Sequence, residues 1–282
     1  MAQYGHLYAM GVMTNAERTA RRAKSNPALK IVTRAGLVGY GVLHLAVAWV
    51  ALRIATGKPA AEGDQSGAFK VLAAQPLGRA LVWAIAIGLL AMAVWQLLEA
   101  AVGHTDESGN RRIVERVVSV GRTIVYAALA WTAYKVASGA PTSNAHQQQK
   151  ATAGILGQPG GPFWVGFAGV FVVAVGLVLA WYGFTKQFER KLRISQMRSQ
   201  TRRAVVAMGR FGYVVKGLAY SVVGVLLVIA AANASPRHST GLDGALRTLA
   251  AQPFGVLLLG VVALGFAVFG VYCFFQSRYR KV

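Results

Sequence analysis

Cysteine is all but missing: Cys273 is the one thiol in 282 residues, so an intrachain disulfide is impossible, and its place in an apolar run disfavours a thiolate. The sequence also lacks a GxxxxGK[ST] phosphate loop, an HExxH zinc motif, a GxSxG nucleophile elbow and any Cys/His cluster at metal-ligand spacing. His6, His44, His104, His146 and His238 are scattered, and only His44 lies well inside an apolar run, so a bis-histidine haem has no second imidazole. No cofactor, metal site or enzyme activity is expected. A cleavable leader is not expected either, because MAQYGHLYAMGVM has neither a basic start nor a continuous apolar core, and Met13 offers a second plausible start.

Charge is thin as well. Charged residues make up 14% of the chain and hydrophobic ones 55%, with a mean hydropathy of +0.45, which is too apolar for an ordinary soluble domain. The apolar residues are bunched. Only His44 breaks the run between Arg34 and Arg53, only Gln96 the run from Arg79 to Glu99, and the stretches 162–185 and 254–275 carry no charge. Each is close to the ~20 residues a helix needs to cross the hydrocarbon core. Two further stretches are less clean, one from near Arg122 to near Lys135 and one from Arg210 past Lys216 to Asn233. An Arg or Lys at a helix centre costs about 2.5–3.5 kcal/mol on insertion scales, so these charges are assigned to helix ends, where long stems reach the interface. The expectation is an all-α integral membrane protein with six transmembrane helices.

A formal charge of +21 invites a nucleic-acid reading, but its distribution argues otherwise. Six Lys/Arg lie in the tail to Arg34, four between Arg111 and Arg122, nine between Lys186 and Lys216 and three at the C-terminus, leaving eight for the intervening loops. By the positive-inside rule both termini and the even-numbered loops are cytoplasmic. No extramembrane segment is long enough for a folded nucleic-acid-binding domain. The stretch FERKLRISQMRSQTRRAVVAMGR, 188–210, reads as a basic amphipathic helix. Arg190, Lys191, Arg193, Arg198, Arg202 and Arg203 are its candidates for contact with anionic lipid headgroups, at about 1 kcal/mol each near the surface.

Internal repetition organises the rest. Arg34, Arg122 and Arg210 are spaced by 88 and 88, and Gly88, Gly176 and Gly265 by 88 and 89. Gln75-Pro76, Gln158-Pro159 and Gln252-Pro253 fall between the two spans of each unit. The chain therefore divides into a basic tail (1–33), repeat 1 (34–104), a divergent repeat 2 (105–187), a basic connector (188–209), and repeat 3 with a short basic end (210–282). Each repeat crosses twice, so the three hairpins are parallel, and a pseudo-threefold bundle with its axis along the membrane normal is expected.

The strings SGAFKVLAAQPLG (66–78) and DGALRTLAAQPFG (243–255) read as short interfacial helices on the non-cytoplasmic side, with Ser66 and Asp243 as N-caps, ended by Gln-Pro. The middle corner, TAGILGQPGGPFW, follows the polar string SNAHQQQK, which reads as a mobile loop.

The Arg-x-Gly starts (RAG at 34, RFG at 210), GYVVKGLAYSVVGVLLV, and GALRTLAAQPFG followed by a glycine-rich apolar helix resemble the bacterial six-transmembrane family called domain of unknown function 1206. The resemblance covers the chain after the basic tail, closely in repeats 1 and 3 and loosely in repeat 2. It implies a multi-pass protein of the bacterial plasma membrane built from three helix pairs, and it carries no activity.

Two polar columns follow from the repeat alignment. His44, Thr132 and Tyr220 each stand ten residues after their repeat's arginine. Small residues flank His44 (Gly41, Ala48) and Tyr220 (Gly217, Gly224), so that face meets protein. Intramembrane His44 is a functional candidate, with an interhelical hydrogen bond as the plainer alternative. Glu99, Gln187 and Gln276 form the second column, at the cytoplasmic ends of the even helices, with Arg111 or Arg112 as partner for Glu99. Two functions fit. One is a non-catalytic scaffold or accessory subunit packing against a larger membrane complex or lipids, favoured by the lack of intramembrane charge. The other is a small channel or transporter with a polar path along the pseudo-threefold axis.

Overall fold

A computed structural model describes residues 26–102 and 109–280. Among them are nine α-helices: α1 (Pro27–Ala55), α2 (Gln65–Ala73), α3 (Gly78–Val102), α4 (Gly109–Ala137), α5 (Asn144–Leu156), α6 (Gly161–Phe184), α7 (Ser199–Ala232), α8 (Gly241–Ala250) and α9 (Gly255–Tyr279). The chain thus runs long, short, long three times over. The tail to residue 25, with His6 and Met13, lies outside the described residues, as does His104. Five helices, α1, α3, α6, α7 and α9, are long and apolar enough to cross a membrane. Helix α4 is as long, at 29 residues, but opens on Arg112, Glu115 and Arg116.

The three corners share one geometry. Gly78, Gly161 and Gly255 donate their N–H groups to the carbonyls of Gln75, Gln158 and Gln252 at 2.8, 2.9 and 2.8 Å. Between them the residue after proline is left-handed each time: Leu77 at φ 58°, Gly160 at 74° and Phe254 at 62°. Proline second and a positive φ third is the pattern of a type II turn. A side chain on Gly78 would run into the carbonyl oxygen of Leu72, and one on Gly255 into that of Ala250, so each long helix starts hard against the short one. The amides of Gln75 and Gln252 donate back to the carbonyls of Val71 (3.5 Å) and Thr248 (3.3 Å), acceptors left over where the short helix ends.

Other local readings need correction. Asp64, not Ser66, caps α2, its carboxylate accepting from the Ser66 and Gly67 N–H groups at 2.8 and 3.1 Å. A carboxylate reaching two amide donors outcompetes a hydroxyl there. Asp243 lies inside α8, behind Thr240 at the cap position. Its carboxylate instead accepts from the Gly63 N–H at 2.7 Å and from Arg247 at 3.0 Å, so the first and third corners are joined. The string SNAHQQQK is no loop: Ser143 caps α5, accepting from the His146 N–H at 3.0 Å. Nor is 188–210 one amphipathic helix. Two 3₁₀ turns, Gln187–Lys191 and Ile194–Gln196, precede α7, which runs unbroken from Ser199 to Ala232. Phe188 and Leu192 are buried, and the Arg193 N–H donates to the Tyr279 carbonyl at 2.8 Å, so the connector's backbone bonds to the end of α9.

The long helices form an open ring. Helix α1 packs along α3, α3 along α4, α6 along α7, α7 along α9, and α9 along α1. Glycines bring backbones together at three of these seams: a Cβ on Gly88 would meet Gly36 Cα at 2.7 Å, one on Gly41 the Gly270 carbonyl at 2.7 Å, and one on Gly176 the Gly217 carbonyl at 2.6 Å. The two long helices of the middle repeat, α4 and α6, share no comparable seam. The cause is visible in the chain. Gly36 and Gly212 stand two residues after their repeat's arginine, but Ile124 stands there in repeat 2, 64% exposed, and Gly176 packs on the next repeat instead.

Candidate functional site

Where repeats 1 and 3 face each other inside the ring, Lys216 is buried. This corrects its placement near a helix end: it is the eighteenth of 34 residues in α7, flanked by turns that pack against α6 and α9, and its stem reaches inward. Its Nζ donates to the Tyr40 hydroxyl at 2.6 Å and lies 3.1 Å from His44 Nε2. His44 Nδ1 is 2.8 Å from the Tyr40 carbonyl. A carbonyl only accepts, so Nδ1 carries the proton and Nε2 offers its lone pair to Lys216. The ammonium also sits 4.3 Å from the Phe269 ring centre and 4.9 Å from that of Tyr40. Neutral acceptors and aromatic faces thus surround a positive charge that meets no carboxylate among its described neighbours.

The wall is tight. Phe269 lies 4.8 Å and Phe266 6.0 Å from the His44 ring, and Tyr126 of α4 meets Tyr40 edge-on at 5.5 Å. Burying an unpaired ammonium costs several kcal/mol in general, and two hydrogen bonds plus cation–π contacts offset only part of that. The arrangement can hold a proton, exchange it between lysine and imidazole, or attract an anion.

The structure brings part of the first polar column together. His44 touches Lys216, and Tyr220 has its ring centre 5.9 Å from the ammonium. Thr132 does not join them: its hydroxyl bonds the Ala128 carbonyl at 3.0 Å and approaches the Asn144 side chain at 3.4 Å, towards the Gln-Pro corners. The second column is no uniform ring. Gln276 is buried and donates to the Tyr272 hydroxyl at 3.1 Å, Gln187 is exposed, and Glu99 is half-buried with neighbours of its own. The Arg111 side chain lies outside the described residues.

Opposite the corners, a second polar group spans from α4 to α6. Arg122 hydrogen-bonds the Tyr182 hydroxyl, and Lys191 donates to Glu115 at 2.8 Å. Arg280 adds its charge to both Tyr182 and Lys191. Burial, and then the Arg122 charge, push the Lys191 amine down to about 8 against the pull of Glu115. The other headgroup candidates are surface groups: Arg190, Arg198, Arg202 and Arg203 are exposed, Arg193 is half-buried, and Arg202 stands 4.0 Å from Glu189.

Lys216 and Tyr40 escape a motif search because neither belongs to a catalytic or ligand-binding motif. One signal was present. Each stands six residues after its repeat's arginine, so the two share a column whose third member is Ala128.

A family pattern described as Domain of Unknown Function (DUF1206) matches three times, at residues 35–103, 117–186 and 211–280. The uncharacterized protein YxxB of Bacillus subtilis (strain 168) is 29% identical over 263 residues, covering 93% of this chain and 94% of the relative. No solved structure matches.

Proposed function

The chain belongs to the family of domain of unknown function 1206, which assigns no activity, and from that premise we propose a non-catalytic membrane carrier for a small anionic solute, with Lys216, His44 and Tyr40 as its working centre. One observation carries this reading: a buried ammonium held, among the described residues, by neutral groups alone. Retaining such a charge inside a bilayer is costly, and intramembrane ionisable groups mark substrate or proton paths. A passing anion supplies the missing negative charge, and His44 Nε2 supplies an acceptor for the lysine proton when it leaves. The closed aromatic wall then corresponds to an occluded state.

In this reading α4 is the third of six spans, and the three hairpins run parallel about an axis near the Tyr40–Lys216 contact. Both termini and the end bearing Lys191 and Arg280 face the cytoplasm of a bacterial plasma membrane, by the positive-inside distribution. The test is reconstitution into liposomes on a solid support, with concentration jumps of chloride, nitrate, acetate and lactate. Transient current with at least one anion, lost in Lys216→Met, is expected. Silence with all four, or an unchanged response in Lys216→Met, overturns the reading.

A scaffold or accessory subunit is the second reading. The absence of intramembrane charge no longer supports it, but the unfilled gap between α4 and α6 does, since a partner's helix fits such a face. Purification from native membranes in mild detergent should then recover a stoichiometric partner. A lone chain would reject this alternative.

A further inference from the structure

The gap between α4 and α6 is apolar along the middle of the helices and polar at one end. Val118 and Val125, four residues before and three after Arg122 and so on its face of α4, are exposed, as are Phe171 and Val178 on the Tyr182 face of α6. The polar end is the group already described: Arg122 bonded to the Tyr182 hydroxyl, Lys191 bonded to Glu115, and Arg280 beside them. Among the described residues of this group three cations stand with one carboxylate, an excess of positive charge on groups partly withdrawn from water. Unlike the exposed arginines of the connector, these groups are fixed by contacts from three parts of the chain: α4, the first 3₁₀ turn after α6, and the end of α9.

We infer that this corner binds one anionic phospholipid, its phosphate taken by Arg122, Lys191 and Arg280 and one acyl chain lying in the gap past Val125. Arg presents a planar fork suited to phosphate oxygens, and Lys191 adds a point charge. A free phosphate explains the cations and leaves the apolar gap empty; a zwitterionic lipid fills the gap and leaves the excess charge. A phospholipid with net negative charge answers both. Glu115, the carboxylate in the group, is already countered by Lys191 at 2.8 Å and so turns a neutralised pair towards the phosphate. Where a glycine seam closes the hairpins of repeats 1 and 3, a lipid chain takes its place in repeat 2.

The inference rests on the orientation proposed above, which sets this corner at a bilayer surface, but not on the carrier activity. The test uses the full chain in a mild non-ionic detergent, with native mass spectrometry after adding phosphatidylglycerol or phosphatidylcholine of identical acyl chains. One phosphatidylglycerol per chain is expected, retained at least tenfold better than phosphatidylcholine and not displaced by 10 mM inorganic phosphate. Arg122→Gln should lower phosphatidylglycerol retention at least tenfold. Should that variant fold poorly, Lys191→Gln, on the connector, should lower it several-fold, and Val125→Trp should lower retention of both lipids. Equal retention of the two lipids, displacement by phosphate, or wild-type retention in the glutamine variants overturns the inference. Lys216→Met should retain the lipid as wild type does, so failure of the carrier reading leaves this result standing.

Discussion

The Lys216 amine and the Tyr40 hydroxyl meet at 2.6 Å, and the two residues occupy the same place in repeats 3 and 1, six residues after Arg210 and Arg34. This contact marks where the hairpins of repeats 1 and 3 converge. The counterpart of Lys216 and Tyr40 in repeat 2 is Ala128, which is exposed. From repeat 2 the Tyr126 ring meets Tyr40 edge-on at 5.5 Å.

Lys216→Met is expected to keep or raise the melting temperature in detergent. Replacing a buried ion by an apolar group of similar length is often neutral or stabilising by about 1–4 kcal/mol. Tyr40→Phe should do the opposite, because it takes one of two acceptors from a buried ammonium, at about 1–3 kcal/mol. In the double variant the phenyl ring faces a methionine, and most of that loss should vanish. Thermal unfolding of the four proteins tests this as a double-mutant cycle. Additive losses would mean that the hydrogen bond contributes nothing.

The seam between α6 and α7 depends on absent side chains. A Cβ on Gly176 would lie 2.6 Å from the Gly217 carbonyl and 2.6 Å from the Ser221 nitrogen, so Gly176→Leu must push two helices apart. Overpacking typically costs about 1–3 kcal/mol, and rigid backbone on the far side makes the upper end the expectation. Gly260 of α9 has nothing within 4 Å of an added Cβ, so Gly260→Ala should be neutral or stabilise by up to about 1 kcal/mol through helix propensity. Size-exclusion profiles and melting temperatures of the two variants separate the cases.

Sequence periodicity reaches the repeat unit and the Gln-Pro corners, which rest on residues adjacent in the chain; the left-handed conformation of Leu77, Gly160 and Phe254 is seen first in the fold. It does not reach the open seam, although Ile124 in place of Gly36 and Gly212 announces it, because which helices pack depends on contacts between repeats. Helix capping is misjudged for a similar reason: Asp64 and Ser66 are both good caps, and only the backbone path decides between them. Lys216 illustrates the larger limit. Within its own helix a lysine stem reaches towards either interface, and only the approach of Tyr40 and His44 from another repeat holds it inward.

The Lys191 amine supplies a pH test outside the spans. Its pKa is about 8 in the folded chain against 10.5 for an ordinary lysine. Between those values the unfolded chain binds more protons, so stability rises with pH there. The penalty for charging Lys191 is therefore fully present below about 8 and is relieved as pH climbs towards 10.5. The melting temperature of wild type minus that of Lys191→Met should increase over that window and stay flat from pH 6 to 7.5. A difference that stays flat throughout would place the amine in ordinary solvent.

Orientation is open to a direct chemical test because the chain carries one native thiol. Cys273 is buried, so Cys273→Ser gives a silent background with little loss of volume. In that background Arg198→Cys tags the connector and Leu77→Cys the first corner, where the side chain is 87% exposed. The two lie at opposite ends of the bundle, one beside the junction with α9 and the other in the α2–α3 turn. A membrane-impermeant maleimide applied to intact cells should label position 77 and spare 198 until the cells are lysed. The reverse pattern inverts the topology, and labelling of both from outside would mean that an even number of α3, α4 and α6 cross the membrane, α4 being the one of the three outside the five apolar helices. The charge distribution favours the first outcome, since the connector and the C-terminal end hold half of the cationic excess beyond the tail and no comparable cluster lies at the corners.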